Sequence, residues 1–180
     1  YQAWFQEASA ETGIDWRLIA AIGYQESRWD ETAVSTTGVR GLMMLTAETA
    51  QRVMVADRTD PHSSILGAAR YLALIKETIP DRIAEPDRTW LALAAYNIGY
   101  GHLEDARVLA QRAGLNPDTW DAVRGQLPLL AQERWFMQTR RGYARGWEPV
   151  GFVRNVQTYL EILGWMTSGA GPSGAPRKTS

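Results

Sequence analysis

The 180-residue sequence contains no cysteine and only two histidines. Without cysteine the chain has no thiol nucleophile, no disulfide framework and no thiolate metal site. The two histidines, His62 and His102, show no partner pattern, so we predict that both lie on the surface and that the protein holds no metal or other cofactor. Any catalytic chemistry must therefore come from other side chains.

The sequence also lacks a large excess of charge and a long apolar run. Its net charge is −1 and its pI is about 6.2, which gives no basic field for nucleic acid, so we expect no nucleic-acid partner. No run approaches the roughly 18 to 20 apolar residues that cross a membrane. A signal peptide is also missing, because Tyr1 opens directly on helix-like sequence. A fragment of a longer precursor would look the same, so this absence leaves the compartment open.

Helical periodicity is present almost throughout, and strand-like alternation never persists. The spacing of apolar residues and the capping residues predict an all-α fold. The predicted helices cover 1–12, a segment capped by Asp15, a short segment capped by Thr46, a segment opened by Asp60-Pro61, then 90–98, 103–114, 116–123 and 149–163. Residues 30–45 read as a structured loop, 131–147 as a lid or a wall, and 168–180 as a flexible tail.

Glu26 is the first candidate for chemistry. It lies four residues after Ile22 and eight after Leu18, on the apolar stripe of its helix, and close to that helix's C-terminal end. Burial and the helix dipole both disfavour the carboxylate there, so we expect a raised pKa. Such a group can serve as the general acid of a glycosidase. On position alone, a boundary glutamate whose head reaches solvent remains the favoured interpretation.

Four short motifs surround this residue in a fixed order, spread over residues 26–159. They are Glu26-Ser27-Arg28-Trp29; Ser35 with Gly38 and Gly41-Leu42-Met43; Ala95-Tyr96-Asn97 with Gly99 and Gly101; and Glu148 with Phe152-Val153 and Asn155-Val156. Each motif alone is weak. Together they resemble the lysozyme-like soluble lytic transglycosylases (the SLT family), enzymes that cut the glycan strands of peptidoglycan.

The resemblance implies a goose-type-lysozyme-like domain over residues 1–167, with an open groove and Glu26 at its middle. It implies cleavage of the β-1,4 bond between N-acetylmuramic acid and N-acetylglucosamine, with Glu26 as acid and then base, and products that end in 1,6-anhydromuramic acid. The partners would be glycan strands and muropeptides. By the same resemblance, the substrate-binding residues would be Ser35, Met43, Met44, Tyr96, Asn97 and Glu148.

One departure from the family pattern points to a branch of it. Where the family has Gln and, two residues later, often a second Met, this sequence has Met44 and Thr46. The form Gly-Leu-Met-Met-Leu-Thr resembles the branch called membrane-bound lytic murein transglycosylase F. That branch implies a periplasmic location, association with the outer membrane, and a regulatory N-terminal domain similar to solute-binding proteins, absent from this sequence.

Other interpretations of the same residues stay open. Gly38 and Gly41 would also suit tight turns, Met43 the core, Asn97 a helix cap and Glu148 a helix N-terminus. The missing Gln also allows a peptidoglycan-binding module that has lost activity. A plain helical interaction domain is the third possibility. An intact Glu26 favours the enzyme.

Overall fold

The computed structural model describes residues 1–168, and the predicted all-α fold is confirmed for them. Nine α-helices and one 3-10 helix (Leu127–Ala131) follow one another, and one isolated bridge, Val34 to Arg40, is the only strand-like pairing in this part of the chain. The α-helices are α1 Gln2–Thr12, α2 Trp16–Ser27, α3 Ala47–Arg52, α4 Pro61–Thr78, α5 Asp87–Ile98, α6 Tyr100–Arg112, α7 Trp120–Gln126, α8 Glu133–Phe136 and α9 Trp147–Thr167. Beyond Ser168, the predicted flexible tail lies outside the described residues.

Helix α5 lies at the centre of the fold. Its residues 91–95, Leu-Ala-Leu-Ala-Ala, are all fully buried. A helix that is apolar on every side must be covered all round, and α5 packs against α4, α6 and α9. Its alanines let these neighbours approach closely. Helix α2 packs against α9 and α1, which places the C-terminal end of α2 beside the C-terminal half of the core.

Four of the residues predicted to end or begin helices, Gly13, Asp15, Thr46 and Asp60, act as caps in the structure. Gly13 ends α1 in the left-handed conformation, with φ of 72°. The side chains of Asp15, Thr46 and Asp60 accept hydrogen bonds from the backbone N–H groups of Arg17, Thr49 and Ser63 at the starts of α2, α3 and α4. These caps set the direction from which each helix enters the core.

Several predicted boundaries were wrong. The helix expected from Asn116-Pro117 begins only at Trp120, because the Asn116 side chain accepts a hydrogen bond from the N–H of Asp118 and forms a turn. Helix α5 begins at Asp87, and α9 runs from Trp147 to Thr167, longer at both ends than predicted. No helix within residues 1–168 combines the length and the hydrophobicity needed to cross a bilayer.

Candidate active site

A cleft of about 710 Å³ opens between the C-terminal ends of α2 and α5, the loop of residues 33–46 and the start of α9. This volume is in the range of ligand-binding clefts. Of the residues predicted from the sequence, six line it: Glu26, Ser35, Met44, Tyr96, Asn97 and Glu148. The structure thus brings together residues that lie up to 122 positions apart in the chain.

Glu26 occupies the last turn of α2, with its side chain in the cleft. Burial raises the pKa of this carboxyl to about 7, and no charged partner contributes to the shift. Glu26 as a whole is half-buried, but the loss of hydration at its carboxyl distinguishes it from a boundary residue with a fully solvated head. A carboxyl with such a pKa is partly protonated at neutral pH and can both donate and accept a proton.

The residue after Glu26, Ser27, links the end of α2 to the neighbouring loop. The Ser27 hydroxyl donates its single hydrogen to the carbonyl oxygen of Leu42, at 2.8 Å, and lies 3.3 Å from the carbonyl oxygen of Gly23. Gly41 has φ of 97°, and a Cβ atom on it would lie 2.7 Å from the Arg58 carbonyl oxygen. Both a positive φ and a close approach therefore require glycine there, as predicted for a tight turn.

Met43 and Met44 point to opposite sides of this loop. Met43 is fully buried, and its sulfur packs where a side chain on Gly23 would otherwise lie, so it belongs to the core and does not line the cleft. The predicted substrate contact of Met43 does not fit this position, whereas the alternative core interpretation does. Met44 has a left-handed backbone, with φ of 48°, and lines the cleft.

Tyr96 presents a buried hydroxyl group to the cleft. Its ring lies between Phe152, stacked with ring centroids 6.1 Å apart, and Tyr71, at 5.3 Å. The hydroxyl has no hydrogen-bond partner within the described residues. Burial, and then the nearby Glu26, raise the Tyr96 pKa well above its usual value, so the phenol stays protonated and can donate. A buried donor without a partner is costly unless something else binds it.

Asn97, Ser35 and Glu148 occupy the rim of the cleft. Asn97 is exposed, and the helix cap lies two residues on, at Gly99, so Asn97 is not the cap. Ser35 Oγ accepts a hydrogen bond from the N–H of Val39 and lies 3.1 Å from Thr37 Oγ1. Glu148 lies in the first turn of α9, where the helix dipole favours a carboxylate, and pairs with Arg145 Nη1 at 3.2 Å.

The comparisons with known proteins agree with this geometry. The family model "Transglycosylase SLT domain" matches residues 3–117, which is more than half of the chain. The chain belongs to the SLT family. Similar relatives are membrane-bound lytic murein transglycosylase F of Pseudomonas syringae pv. syringae, 59% identical over 93% of this chain, and membrane-bound lytic murein transglycosylase F 1 of Alkalilimnicola ehrlichii, 58% identical over 91%. The resemblance to this branch of the SLT family is therefore confirmed.

Two solved structures have the same fold. An inactive mutant of lytic transglycosylase Slt from Pseudomonas aeruginosa superposes over 96% of this chain with a TM-score of 0.67 and 23% identity. The 70 kDa soluble lytic transglycosylase of Escherichia coli superposes over 93% with the same TM-score and 21% identity. The chain covers 25% and 24% of these two proteins. The predicted lysozyme-like helical fold is confirmed.

The chain spans about a third of the length of its similar relatives, 34% of the protein from P. syringae and 33% of that from A. ehrlichii. The regions outside the matched segment therefore make up most of the length of those two proteins. The predicted N-terminal regulatory domain would lie outside this sequence and remains a prediction.

Sequence reasoning missed several residues of the cleft wall, among them Tyr71, Thr49 and Arg145. Tyr71 lies one position from the buried Leu72, and no pattern in α4 distinguishes a residue beside a cleft from one beside solvent. Arg145 lies in an irregular segment without periodicity. That segment is fixed by Asp105, a buried carboxylate that accepts hydrogen bonds from the backbone N–H groups of Arg140 and Arg141 at 3.1 and 2.8 Å.

The two histidines lie outside the cleft. His62 is on the surface as predicted, with Nε2 2.9 Å from the Glu7 carboxylate. His102 is half-buried, and its Nδ1 lies 4.0 Å from Asp105 Oδ2. His102 is thus less exposed than predicted, with 25% of its side chain accessible against 39% for His62.

Proposed function

We propose that this domain is a peptidoglycan lytic transglycosylase that cleaves the β-1,4 bond between N-acetylmuramic acid and N-acetylglucosamine. The observation that carries the proposal is the position of Glu26, a carboxyl with a pKa of about 7, in a cleft that Tyr96 also lines; the buried Tyr96 hydroxyl has no hydrogen-bond partner within the described residues. Membership of the SLT family supports the same activity.

In the proposed reaction, protonated Glu26 donates its proton to the glycosidic oxygen as the bond from that oxygen to C1 of muramic acid breaks. The 6-hydroxyl of the same muramic acid attacks C1, and its proton passes to the Glu26 carboxylate. The products are a 1,6-anhydromuramic end and a free 4-hydroxyl, and Glu26 returns to its starting state. An internal nucleophile replaces a bimolecular step by a unimolecular one, which lowers the entropic part of the barrier.

The carboxylates of the cleft support a route that does not use water. Among the described residues, Glu26 and Glu148 are the two carboxylates that line it. Hydrolytic glycosidases generally use a pair of carboxylates that flank the scissile bond. Glu148 is exposed and paired with Arg145, so we assign it to orienting substrate at the rim rather than to activating water.

The remaining predicted residues would hold the sugar rings. We assign the Tyr96 hydroxyl and the Asn97 amide to the substrate's N-acetyl group, because a phenol donor and an amide suit its carbonyl oxygen and N–H. Ser35 would bond sugar hydroxyls, and the Met44 thioether would pack on an apolar sugar face. The glycan strands and muropeptides of peptidoglycan are thus the proposed partners.

We also propose that the domain works in the periplasm, as part of a longer protein associated with the outer membrane. Similar relatives are named membrane-bound and are about three times as long as the matched segment, which supports a larger protein around this domain. A regulatory N-terminal domain similar to solute-binding proteins would belong to that larger protein.

Digestion of purified peptidoglycan with the domain, followed by mass spectrometry, tests the proposal. We expect fragments that end in 1,6-anhydromuramic acid, each lighter by one water than a hydrolytic product, and none with Glu26→Gln. Reducing muramic ends would overturn the transglycosylase assignment. Binding to peptidoglycan without release of any fragment would instead identify a binding module without activity.

A further inference from the structure

Asp105 is a buried carboxylate of α6 that takes no part in the proton transfers proposed above. It does not line the cleft, but it binds the segment of residues 140–146, which leads into the cleft wall at Arg145. We propose that Asp105 is a positioning residue, which holds this segment so that Arg145 and Glu148 are in place before substrate binds. This inference rests on the proposed function, in which Glu148 orients substrate at the rim.

The backbone of residues 140–143 depends on Asp105 for its hydrogen bonds. The N–H of Arg140 donates to Asp105 Oδ1 at 3.1 Å, and the N–H of Arg141 donates to Oδ2 at 2.8 Å. Within the described part of the chain, the backbone of this stretch forms no other hydrogen bond, and the stretch belongs to no helix. One carboxylate therefore fixes two successive peptide units, one on each of its oxygens.

The Asp105 carboxylate depends on the same two bonds in turn. Asp105 is only 6% exposed, and a buried charge is costly unless hydrogen bonds compensate it. His102 Nδ1 lies 4.0 Å from Oδ2, beyond hydrogen-bond distance, so the two backbone N–H groups are the hydrogen-bond donors to this side chain among the described residues. The contact is therefore specific for an ionised side chain with two acceptor oxygens.

A second contact joins the same segment to the start of α6. Gly101 lies in the first turn of α6, and a Cβ atom on it would lie 2.6 Å from Arg141 Nε and 3.1 Å from Arg141 Cγ. The close approach of Arg141 thus explains a glycine at a helical position. Gly101 belongs to the sequence motif whose Tyr96 and Asn97 line the cleft, so this contact relates the segment to those two residues.

The other end of the segment is attached to the 3-10 helix. The N–H of Ala144 donates to the Leu130 carbonyl oxygen at 3.0 Å, and Gly146 packs so closely on Leu127 that a Cβ atom on it would clash with the Leu127 carbonyl oxygen. Between the two attachments lies Gly142, whose φ is 79°. A short stretch attached at both ends has one path, whereas a stretch attached at one end can turn about it. Asp105 supplies the attachment that removes this freedom.

The pair of side chains at the rim needs this support. Arg145 Nη1 lies 3.2 Å from Glu148 Oε1, and the two side chains are 66% and 50% exposed. An exposed ion pair contributes little by itself, so the backbone must hold the pair at its place in the cleft. Without the bonds from Asp105, substrate would have to order the segment as it binds, and that cost would weaken binding.

Glycan binding to an inactive protein measures this role without turnover. The Glu26→Gln protein, with and without Asp105→Asn, is titrated with a peptide-free tetrasaccharide of alternating N-acetylglucosamine and N-acetylmuramic acid. Asparagine has nearly the size of aspartate but one acceptor oxygen, so one of the two bonds is lost. We expect Kd to rise roughly two- to tenfold, the usual cost of ordering a mobile side chain on binding. In the active enzyme, KM should rise by the same factor, and the pH dependence of kcat, which Glu26 determines, should not change.

Asp87→Ala is the matched control. The Asp87 carboxylate also accepts a hydrogen bond from a distant backbone N–H, that of Trp120 at 2.8 Å, but Asp87 and Trp120 lie outside the cleft. Each of the two substitutions therefore removes one bond of the same kind. We expect Asp87→Ala to lower the melting temperature and to leave Kd unchanged. An equal rise of Kd in both variants would show that any loss of stability weakens binding, and the inference would be wrong.

Removing the pair at the rim tests how Asp105 acts. In the Glu26→Gln protein that also carries Arg145→Ala and Glu148→Ala, no side chain is left for the segment to position. Asp105→Asn should then no longer raise Kd, although it should lower the melting temperature as much as before. A rise of Kd that persists without Arg145 and Glu148 would show that Asp105 acts through other groups and would overturn the inference.

Gly101→Ala tests the inference if Asp105→Asn folds poorly. The added methyl group displaces Arg141 from the other side, while alanine favours the helix more than glycine does. We expect Kd to rise here too, and only while Arg145 and Glu148 are present. An unchanged Kd, together with faster hydrogen exchange at the amides of Arg140 and Arg141, would show that the segment can move without affecting substrate. That result would overturn the inference alone, whereas a wild-type domain that forms no anhydro products from peptidoglycan would overturn the proposed function.

Discussion

The hydroxyl of Ser27 lies 2.8 Å from the carbonyl oxygen of Leu42 and donates a hydrogen bond to it. This bond joins the end of α2, which carries Glu26, to the loop that carries Met44. Both residues are buried, Ser27 at 8% exposure and Leu42 at 0%. The bond therefore fixes one wall of the cleft relative to the Glu26 carboxyl, away from solvent.

We expect Ser27→Ala to lower the free energy of unfolding by about 1–2 kcal/mol, because the buried Leu42 carbonyl loses its side-chain donor. Urea unfolding measures the change. Thr158→Ala is the matched control: it removes an exposed hydroxyl on α9 that donates to the Arg154 carbonyl at 3.1 Å. Equal stabilities of the two variants would show that the Ser27 bond contributes no more than a surface hydroxyl.

The pKa of Glu26 predicts a specific dependence of stability on pH. Because its folded pKa is about 7 and its unfolded pKa about 4.3, the folded state binds the proton more tightly. The free energy of unfolding should therefore fall as pH rises from about 4.3 to about 7, by at most about 4 kcal/mol, and change no further through this group. Glu26→Gln, which cannot titrate, should lose activity and yet unfold at or above the wild-type temperature at neutral pH.

Thermal unfolding of both proteins from pH 4 to pH 8 measures this difference. Glu161→Gln, which removes an exposed carboxyl of α9, is the matched control. A Glu26→Gln variant that is both inactive and clearly less stable than the wild type at neutral pH would identify a structural carboxylate instead of a catalytic one.

The Tyr96 hydroxyl has no hydrogen-bond partner within the described residues. Removing it should therefore lower turnover without lowering stability. We expect Tyr96→Phe to lower kcat by roughly 10²–10³-fold, the usual cost of losing one donor aimed at the transition state. Its stability should stay equal or rise, because the variant removes a buried hydroxyl that has no partner in the described structure.

Tyr100→Phe is the control for this prediction. The Tyr100 hydroxyl donates to the Thr78 carbonyl at 3.2 Å and lies outside the cleft. We expect it to lower stability slightly and to leave kcat unchanged. A Tyr96→Phe variant with full turnover and a lower melting temperature would show that the Tyr96 hydroxyl bonds to groups of the protein. Its assignment to the substrate would then be wrong.

The sequence predicted local features well where a single residue type determines the geometry. Gly13, Asp15 and Asp60 act at helix ends as expected, because a positive φ or an N-terminal side-chain acceptor is a local requirement. The start of α7 was predicted wrongly because Asn116 and Pro117 are equally suited to a turn. Whether these residues form a turn or begin the helix depends on Arg107, whose Nε donates a hydrogen bond to the Pro117 carbonyl oxygen at 2.9 Å.

The candidate site was only partly predictable for a different reason. A resemblance to known motifs indicates which residues recur, but it does not say which side of a loop each one faces. Met43 and Met44 are neighbours with the same side chain. The left-handed backbone at Met44 directs its side chain to the cleft, and the space beside Gly23 accommodates Met43 in the core. Tyr71 and Arg145 reach the cleft through packing of distant segments, which leaves no local signal.

The last prediction concerns the nucleophile. If the muramic acid 6-hydroxyl attacks C1, strands whose 6-hydroxyl is O-acetylated should resist cleavage, because the attacking oxygen is blocked and the cleft provides no second catalytic carboxylate to activate water. Removing the acetyl groups with mild base should restore release of anhydro fragments to the level of unmodified strands. Glu148→Gln should keep partial activity on the unmodified strands, because we assign Glu148, which pairs with Arg145, to orienting substrate at the rim and not to activating water. Efficient cleavage of O-acetylated strands to reducing ends, lost in Glu148→Gln, would instead make Glu148 the base of a hydrolytic pair with Glu26.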